Sequence, residues 1–123
     1  MISKSVYVVD DAQAARDIIS IALNKTYHVR VFPSAESAIE AMSIAPPDLV
    51  LLDIGLPGIS GIEALVQIKR LYPDMIVIMM SAYDDKRIVV YAMSLGAYDY
   101  LIKPLQMIIL IEIVHKALSA TTK

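Results

Sequence analysis

Five short apolar runs alternate with five helical patterns along the chain, and this order constrains the fold more than any other feature of the sequence. Repetition of strand and helix is typical of parallel strands that are connected by crossover helices. The third run, from Leu49 to Leu52, is apolar at every position, as expected for a central strand that helices cover on both faces. The sequence therefore predicts an α/β fold, a doubly wound five-stranded parallel sheet with five helices. The predicted strands are residues 6–9, 27–32, 49–53, 75–80 and 98–102.

Apolar residues spaced at i, i+3, i+4 and i+7 predict a buried stripe on the helices. On the first helix the stripe is Ala15, Ile18, Ile19 and Ala22, and on the second it is Ala35, Ala38, Ile39 and Met42. The third helix is predicted for 62–71. The fifth is predicted for 105–119, with the stripe Met107, Leu110, Ile111, Val114 and Leu118. Ser34 is the predicted cap of the second helix and Asp84 or Asp85 that of the fourth, which Gly96 is predicted to end.

Composition and charge exclude several classes of protein. The 123 residues suit one domain, predicted to span 1–123 with a lead-in at 1–4 and a polar tail or linker stump at 120–123. Although 57% of the residues are hydrophobic, no apolar run approaches the roughly 18 residues that a membrane-spanning helix needs, so we expect a cytoplasmic chain without membrane association. The chain has no cysteine, which excludes disulfides, thiol catalysis and zinc-thiolate sites. A formal net charge of −2 disfavours direct binding to nucleic acid.

Polar residues stand at the ends of four predicted strands. Asp10 and Asp11 follow the first strand, Asp53 ends the third, Ser81 follows the fourth and Lys103 follows the fifth. Because ligands bind beyond the carboxyl ends of parallel strands, we expect these side chains to share one crevice. Three carboxylates in one crevice repel one another, and a hard cation such as Mg²⁺ would keep them ionised at neutral pH. The pattern predicts a magnesium site with one carboxylate as a nucleophile toward phosphorus, while Lys103 and Ser81 contact the phosphoryl group.

The order of these motifs resembles the response-regulator receiver family of two-component signalling. The resemblance covers essentially the whole chain and rests on Asp10-Asp11, the 53–61 segment DIGLPGISG, Ser81-Ala82 and the 98–104 segment YDYLIKP. The last of these is especially similar to receivers attached to transcriptional activators. The resemblance implies a flavodoxin-like strand order of 2-1-3-4-5 and a signalling phosphoacceptor rather than an enzyme.

The resemblance also implies roles for the acidic residues. Asp53 would accept the phosphoryl group from the phosphohistidine of a sensor histidine kinase or from a small phosphodonor. Mg²⁺ would be bound by Asp53 and directly by Asp11, whereas Asp10 would act mostly through a bound water. The backbone carbonyl of Gly55 would supply a further ligand.

Two further pairs of residues have implied roles. Lys103 would pair with the phosphoryl group, and the Lys103–Pro104 peptide is expected to be cis. Ser81 and Tyr100 would form a switch, in which the serine moves toward the phosphoryl group and the tyrosine ring turns inward. This movement would change the face made by the fourth helix, the fifth strand and the fifth helix, which would control an output partner or domain.

The fourth and fifth helices carry more apolar residues than their buried stripes require. The surplus predicts an apolar surface for a homodimer or another partner on the output face. Contacts between helices or an adjoining domain are the alternative cover for these side chains. The residues predicted to point outward are Val89, Val90, Met93, Ile108 and Ile109.

Other interpretations of the polar residues remain open. Taken singly, an aspartate can cap a helix or begin a turn, and a lysine can be an ordinary solvated charge. A magnesium-dependent aspartyl phosphohydrolase would need a second carboxylate two residues after its nucleophile, where this chain has Gly55. A pseudo-receiver would keep the fold without accepting phosphate, and the retained polar residues at the strand ends argue against it.

Overall fold

Five strands alternate with five helices in the computed structural model, which describes residues 3–120. The strands are β1 (Ser5–Val9), β2 (His28–Phe32), β3 (Leu49–Asp53), β4 (Ile76–Ser81) and β5 (Asp99–Ile102). The helices are α1 (Gln13–Leu23), α2 (Ala35–Met42), α3 (Gly61–Leu71), α4 (Lys86–Ser94) and α5 (Met107–Ala120). Of the predicted lead-in and tail, residues 1, 2 and 121–123 lie outside the described part of the chain.

The strands pair in parallel in the order β2-β1-β3-β4-β5, which confirms the predicted flavodoxin-like fold. The register pairs Leu52 of β3 with Val9 of β1 and with Met79 of β4. Strands that run in parallel and in register end at the same edge of the sheet, so the residues after β1, β3, β4 and β5 meet there.

Two apolar layers sandwich the sheet. Alternate residues of β3 point to opposite faces, so Val50 and Leu52 belong to one layer and Leu49 and Leu51 to the other. The first layer includes buried residues of α2, α3 and α4, and the second includes buried residues of α1 and α5. Within residues 3–120 no helix combines the length and the apolar character needed to cross a membrane.

The helix ends are fixed largely by local polar groups. Ser34 caps α2 by accepting a hydrogen bond from the Ser37 amide, and Asp85 caps α4 by accepting one from the Arg87 amide. Ser60 and Glu63 form a reciprocal capping box at the start of α3. Gly96 follows α4 with a φ of 105°, a left-handed conformation that favours glycine. The observed bounds of β3 match the predicted ones, and those of the other predicted strands and of α3 and α5 differ from the predictions by two residues at most.

Three predicted side-chain orientations are wrong. Ile18 is 53% exposed and Ile111 is 39% exposed, although both were assigned to buried stripes. Each lies about 100° around its helix from a buried neighbour, Ile19 or Leu110, and so occupies the flank of the stripe. Val89 was expected to point outward but is half-buried, because it lies one turn before the buried Ala92 and shares its face of α4.

Candidate functional site

Three carboxylates converge at the carboxyl edge of the sheet. Asp10 follows β1 and is fully buried, Asp53 is the last residue of β3 and is also buried, and Asp11 is exposed. One oxygen from each carboxylate lies within 4.8 Å of the other two. The two central strands therefore bring together the acidic residues that the sequence pattern singled out.

Lys103 connects the two buried carboxylates. Its Nζ atom donates hydrogen bonds to Asp10 Oδ2 at 2.7 Å and to Asp53 Oδ2 at 3.2 Å. Burial by itself would lower the pKa of Lys103, but the hydrogen bond with Asp10 and the charges of both aspartates outweigh it, and the pKa lies above its ordinary value. The side chain of Lys103 is thus held as a cation. The Lys103–Pro104 peptide bond is cis, as the sequence predicts.

The pKa of Asp53 is raised above its ordinary value. Burial is the largest cause, and the adjacent charge of Asp10 raises the pKa further. The ammonium of Lys103 and the Gly55 amide, which donates to Asp53 Oδ1 at 3.3 Å, lower the pKa but do not restore it. Burial and the charge of Asp10 together therefore outweigh the stabilising contacts that Lys103 and the Gly55 amide make with the Asp53 carboxylate.

Backbone contacts hold Asp10 in place. Its Oδ1 atom accepts a hydrogen bond from the Ala12 amide at 2.9 Å, and its carbonyl accepts one from Arg16 Nη1 at 2.8 Å. Sequence reasoning missed Arg16, which reaches back from the first turns of α1 to the end of β1. Arg16 could have been identified from the sequence, because it is a cation next to the apolar stripe of the helix that follows Asp10 and Asp11.

Close packing fixes the backbone at Asp53. Gly61, the first residue of α3, lies so near the Asp53 carbonyl that a Cβ atom at this position would collide with backbone atoms of Asp53 and Ile54. The Gly61 amide donates to the Ile54 carbonyl at 2.9 Å. The chain that leaves β3 is therefore turned back against its own strand end, and glycine is required where α3 begins.

Ser81 and Tyr100 meet at the backbone of Tyr83. The buried Ser81 hydroxyl accepts a hydrogen bond from the Tyr83 amide at 2.9 Å, and the half-buried Tyr100 hydroxyl donates to the Tyr83 carbonyl at 3.0 Å. The Lys103 amide donates to the Ser81 carbonyl at 2.7 Å, which joins the ends of β4 and β5. The residues implied as a switch pair thus contact the same short segment beside the acidic site.

The surface of α4, β5 and α5 is rich in exposed apolar side chains. Of the five residues predicted to point outward, Val90, Met93, Ile108 and Ile109 are exposed, and only Val89 is not. Tyr91 of α4 and Ile102 of β5 are also exposed, as is Tyr98 immediately before β5. A groove of about 170 Å³ at the junction of β5 and α5 is lined in part by Tyr100 and Ile109.

The donor atoms of the acidic cluster suit a hard divalent cation. Mg²⁺ prefers oxygen ligands and is usually bound by one or two carboxylates together with waters and phosphate oxygens. Asp10, Asp11 and Asp53 provide such oxygens, and a cation there would offset the charge that raises the pKa of Asp53. The site could hold a cation beside a carboxylate nucleophile and a lysine.

Comparisons with known proteins identify the family and agree with this fold. A family profile described as the response regulator receiver domain matches residues 6–115. The DNA-binding transcriptional regulator NtrC of Escherichia coli (strain K12) is 36% identical over 115 residues, which cover 93% of this chain and 24% of NtrC. The chain therefore belongs to the response regulator receiver domain family. It spans about a quarter of the length of the NtrC relatives that it matches.

Solved structures of receiver domains are similar over nearly the whole chain. The receiver domain of NtrX from Brucella abortus is 34% identical with a TM-score of 0.88, and the match covers 95% of this chain and 99% of that one. A CheY-like receiver domain protein from Methanospirillum hungatei JF-1 is 28% identical with a TM-score of 0.92, covering 97% of this chain and 96% of that one. The shared architecture includes the sheet edge at which the acidic cluster lies.

Proposed function

We propose that this chain is the phosphoacceptor receiver domain of a two-component system and that Asp53 accepts the phosphoryl group from a sensor histidine kinase. The observation that carries the proposal is the convergence of three carboxylates on one lysine at the carboxyl edge of the sheet. A nucleophile, a cation site and a fixed positive charge then lie within reach of one phosphoryl group. These are the groups that phosphoryl transfer to a carboxylate requires.

In the proposed transfer, one carboxylate oxygen of Asp53 attacks the phosphorus of a phosphohistidine. The new oxygen–phosphorus bond forms as the phosphorus–nitrogen bond breaks, and the electron pair remains on the imidazole nitrogen, which can then take up a proton. Lys103, which already donates to Asp53, stabilises the negative charge of the transferring group. Ser81 supplies a hydroxyl donor once its own contact with the Tyr83 amide is exchanged.

Asp10, Asp11 and Asp53 are the residues that would hold Mg²⁺, with the Gly55 carbonyl as a further ligand. When bound, this ion would neutralise charge on the phosphoryl oxygens and on the carboxylates around them. Gly55 also occupies the position where an aspartyl phosphohydrolase would need its second carboxylate. We therefore propose a signalling protein that modifies itself rather than an enzyme with an external substrate.

Phosphorylation would be transmitted through Ser81 and Tyr100. Both side chains hydrogen-bond to the Tyr83 backbone, so a serine that turns toward the phosphoryl group releases one of the two contacts that hold this segment. Tyr100 also lines the groove that contains Ile109, and its inward rotation would reshape the face of α4, β5 and α5. A change of this kind couples a local charge to a remote contact surface.

We propose that the exposed apolar residues of this face bind an output partner or domain, or a second copy of the chain. Val90, Met93, Ile108 and Ile109 are the residues exposed for such a contact. Apolar residues exposed together are typical of protein interfaces, and the net charge of −2 supports a protein partner rather than nucleic acid. We further propose that residues 1–123 act as one receiver domain in the cytoplasm.

Treatment with acetyl phosphate, with and without Mg²⁺, tests the phosphoacceptor role. We expect one phosphoryl group per chain, dependent on Mg²⁺ and measured by intact mass spectrometry. Asp53→Asn should abolish the modification, whereas Asp84→Asn, which changes an exposed aspartate beyond β4, should leave it intact. Continuous release of phosphate over many turnovers would instead indicate a phosphohydrolase, and no modification at all would indicate a pseudo-receiver.

A further inference from the structure

The loop of residues 54–60 between β3 and α3 carries Gly55 past the acidic cluster. Both ends of this loop are held by backbone hydrogen bonds. The Ile54 amide donates to the Met80 carbonyl at 2.9 Å, and the Gly61 amide donates to the Ile54 carbonyl at 2.9 Å. The buried Leu56 anchors the first part of the loop in the apolar layer. At the tip of the loop Gly58 is exposed, whereas the half-buried Ile59 packs against the same apolar layer as Leu56.

Glu36, in the first turn of α2, reaches this tip from the neighbouring helix. Its Oε2 atom accepts a hydrogen bond from the Ile59 amide at 3.0 Å. Gly58 adopts a φ of 75°, and a Cβ atom added there would collide with the Glu36 carboxylate. The carboxylate therefore lies directly against two consecutive residues of the loop.

The charge of Glu36 suits this contact. The Ile59 amide is the largest cause that holds the pKa of Glu36 below its ordinary value, followed by the amide of Glu36 itself. A carboxylate in the first turn of a helix is also favoured by the helix dipole. Glu36 thus remains an ionised acceptor for the loop amide throughout the neutral pH range.

We propose that Glu36 is a positioning residue for the magnesium site, because it holds the loop that presents the Gly55 carbonyl to the cation. This inference rests on the proposed function, which assigns that carbonyl to Mg²⁺. Without the Glu36 contact, the tip of the loop loses its tie to α2, and the segment between Asp53 and Ser60 samples more conformations. A ligand carbonyl that must be ordered on binding gives a weaker site than one already in place.

Three variants separate this role from a general effect of charge. Glu36→Ala removes both the acceptor and the charge. Glu36→Gln removes the charge but keeps an amide oxygen that can accept a hydrogen bond from the Ile59 amide. Glu40→Ala is the control, because it removes an exposed charge one turn further along α2. Mg²⁺ affinity would be measured by isothermal titration calorimetry. The midpoint of thermal unfolding without Mg²⁺ would be measured in parallel to show that all three variants fold.

We expect Glu36→Ala to weaken Mg²⁺ binding by about threefold to tenfold, less than the roughly 10–100-fold loss typical of a partner bonded directly to a metal ligand. Glu36→Gln should stay within about twofold of the parent, as a retained hydrogen bond requires, and Glu40→Ala should match the parent. Equal weakening in Glu36→Gln and Glu36→Ala, or none in Glu36→Ala, would overturn the inference while leaving the magnesium site standing. If the parent itself binds no Mg²⁺, the proposed magnesium site fails and the inference fails with it.

Discussion

Strands β4 and β5 are hydrogen-bonded neighbours, yet they differ sharply in burial. All six residues of β4 are buried, whereas no residue of β5 is, and Ile102 at its end is 40% exposed. Both strands nevertheless contribute to the candidate site, β4 through Ser81 and β5 through Lys103 and Tyr100. The candidate site is therefore built from both a fully buried strand and an edge strand that no buried residue holds.

Packing explains why the two parts can behave differently. Asp10 and Asp53 are attached to strands whose side chains fill both apolar layers, so moving either aspartate disturbs the whole core. Tyr100 is half-buried and is held at its hydroxyl by one hydrogen bond to a loop carbonyl. A change of conformation is expected to cost little free energy where buried contacts are few. The face formed by α4, β5 and α5 is such a region.

The largest expected effect is on the free energy of unfolding, and it compares a buried side chain of β4 with a partly exposed one of β5. Ile78→Ala in β4 should lower the free energy of unfolding by about 2–5 kcal/mol, because a fully buried side chain leaves a cavity in a packed layer. Ile102→Ala in β5 removes the same atoms from a partly exposed position and should cost about 1 kcal/mol or less. Urea denaturation of both variants measures the difference, and similar losses would show that the edge strand is as firmly packed as the centre.

Much of the fold, and the grouping of the acidic residues with Lys103, could be predicted from the sequence. The uninterrupted apolar run of residues 49–52 identified β3 as a central strand, because both faces of such a strand must be covered. Parallel strands end at one edge, so the convergence of Asp10, Asp53 and Lys103 followed from their positions after the strands. The fold and the grouping of these residues are therefore properties of the local pattern.

The remaining features depend on how the elements pack against one another. A periodic pattern identifies an apolar stripe but leaves open which residue lies at its centre, and for this reason Ile18 and Ile111 were wrongly assigned to the core. The contact between Glu36 and the Ile59 amide joins residues 23 positions apart, and it depends on the way α2 and α3 pack side by side. No local pattern of residues predicts a contact of this kind.

The next expected effect concerns the charge held at the buried end of β3. A folded-state pKa raised above the unfolded value means that ionisation of Asp53 costs stability. The cost is absent below the unfolded pKa of about 4 and grows as the pH rises through the raised folded pKa. Asp53→Asn removes this cost, so at neutral pH without Mg²⁺ it should raise the Tm. In a domain of this size each 1 kcal/mol of added stability corresponds to roughly 3–6 °C.

Two measurements sharpen this prediction. The gap in Tm between Asp53→Asn and the parent should close as the pH is lowered toward 4, because a protonated aspartate resembles asparagine. Mg²⁺ at about ten times its dissociation constant should stabilise the parent by roughly 1.4 kcal/mol and the variant by less. Curves of Tm against pH that run parallel for the two proteins would contradict the assignment of this charge to Asp53.

The smallest expected effect on stability is at the exposed face of α4 and α5, where it also tests association. Ile108 is 73% exposed, so Ile108→Lys should change the free energy of unfolding by no more than about 0.5 kcal/mol, and Val90→Lys should behave alike. If a second copy of the chain covers this face, each added charge would be buried in the interface and the dimer would dissociate.

Light scattering should then give a dimeric mass for the phosphorylated parent and a monomeric mass for both variants. An exposed site in the turn after α2, tested as Ile44→Lys, provides the matched control because it lies outside this face and should not alter the mass. Identical masses for the parent and all variants would show that a second copy of the chain does not cover this face, and an output partner would then be the proposed occupant.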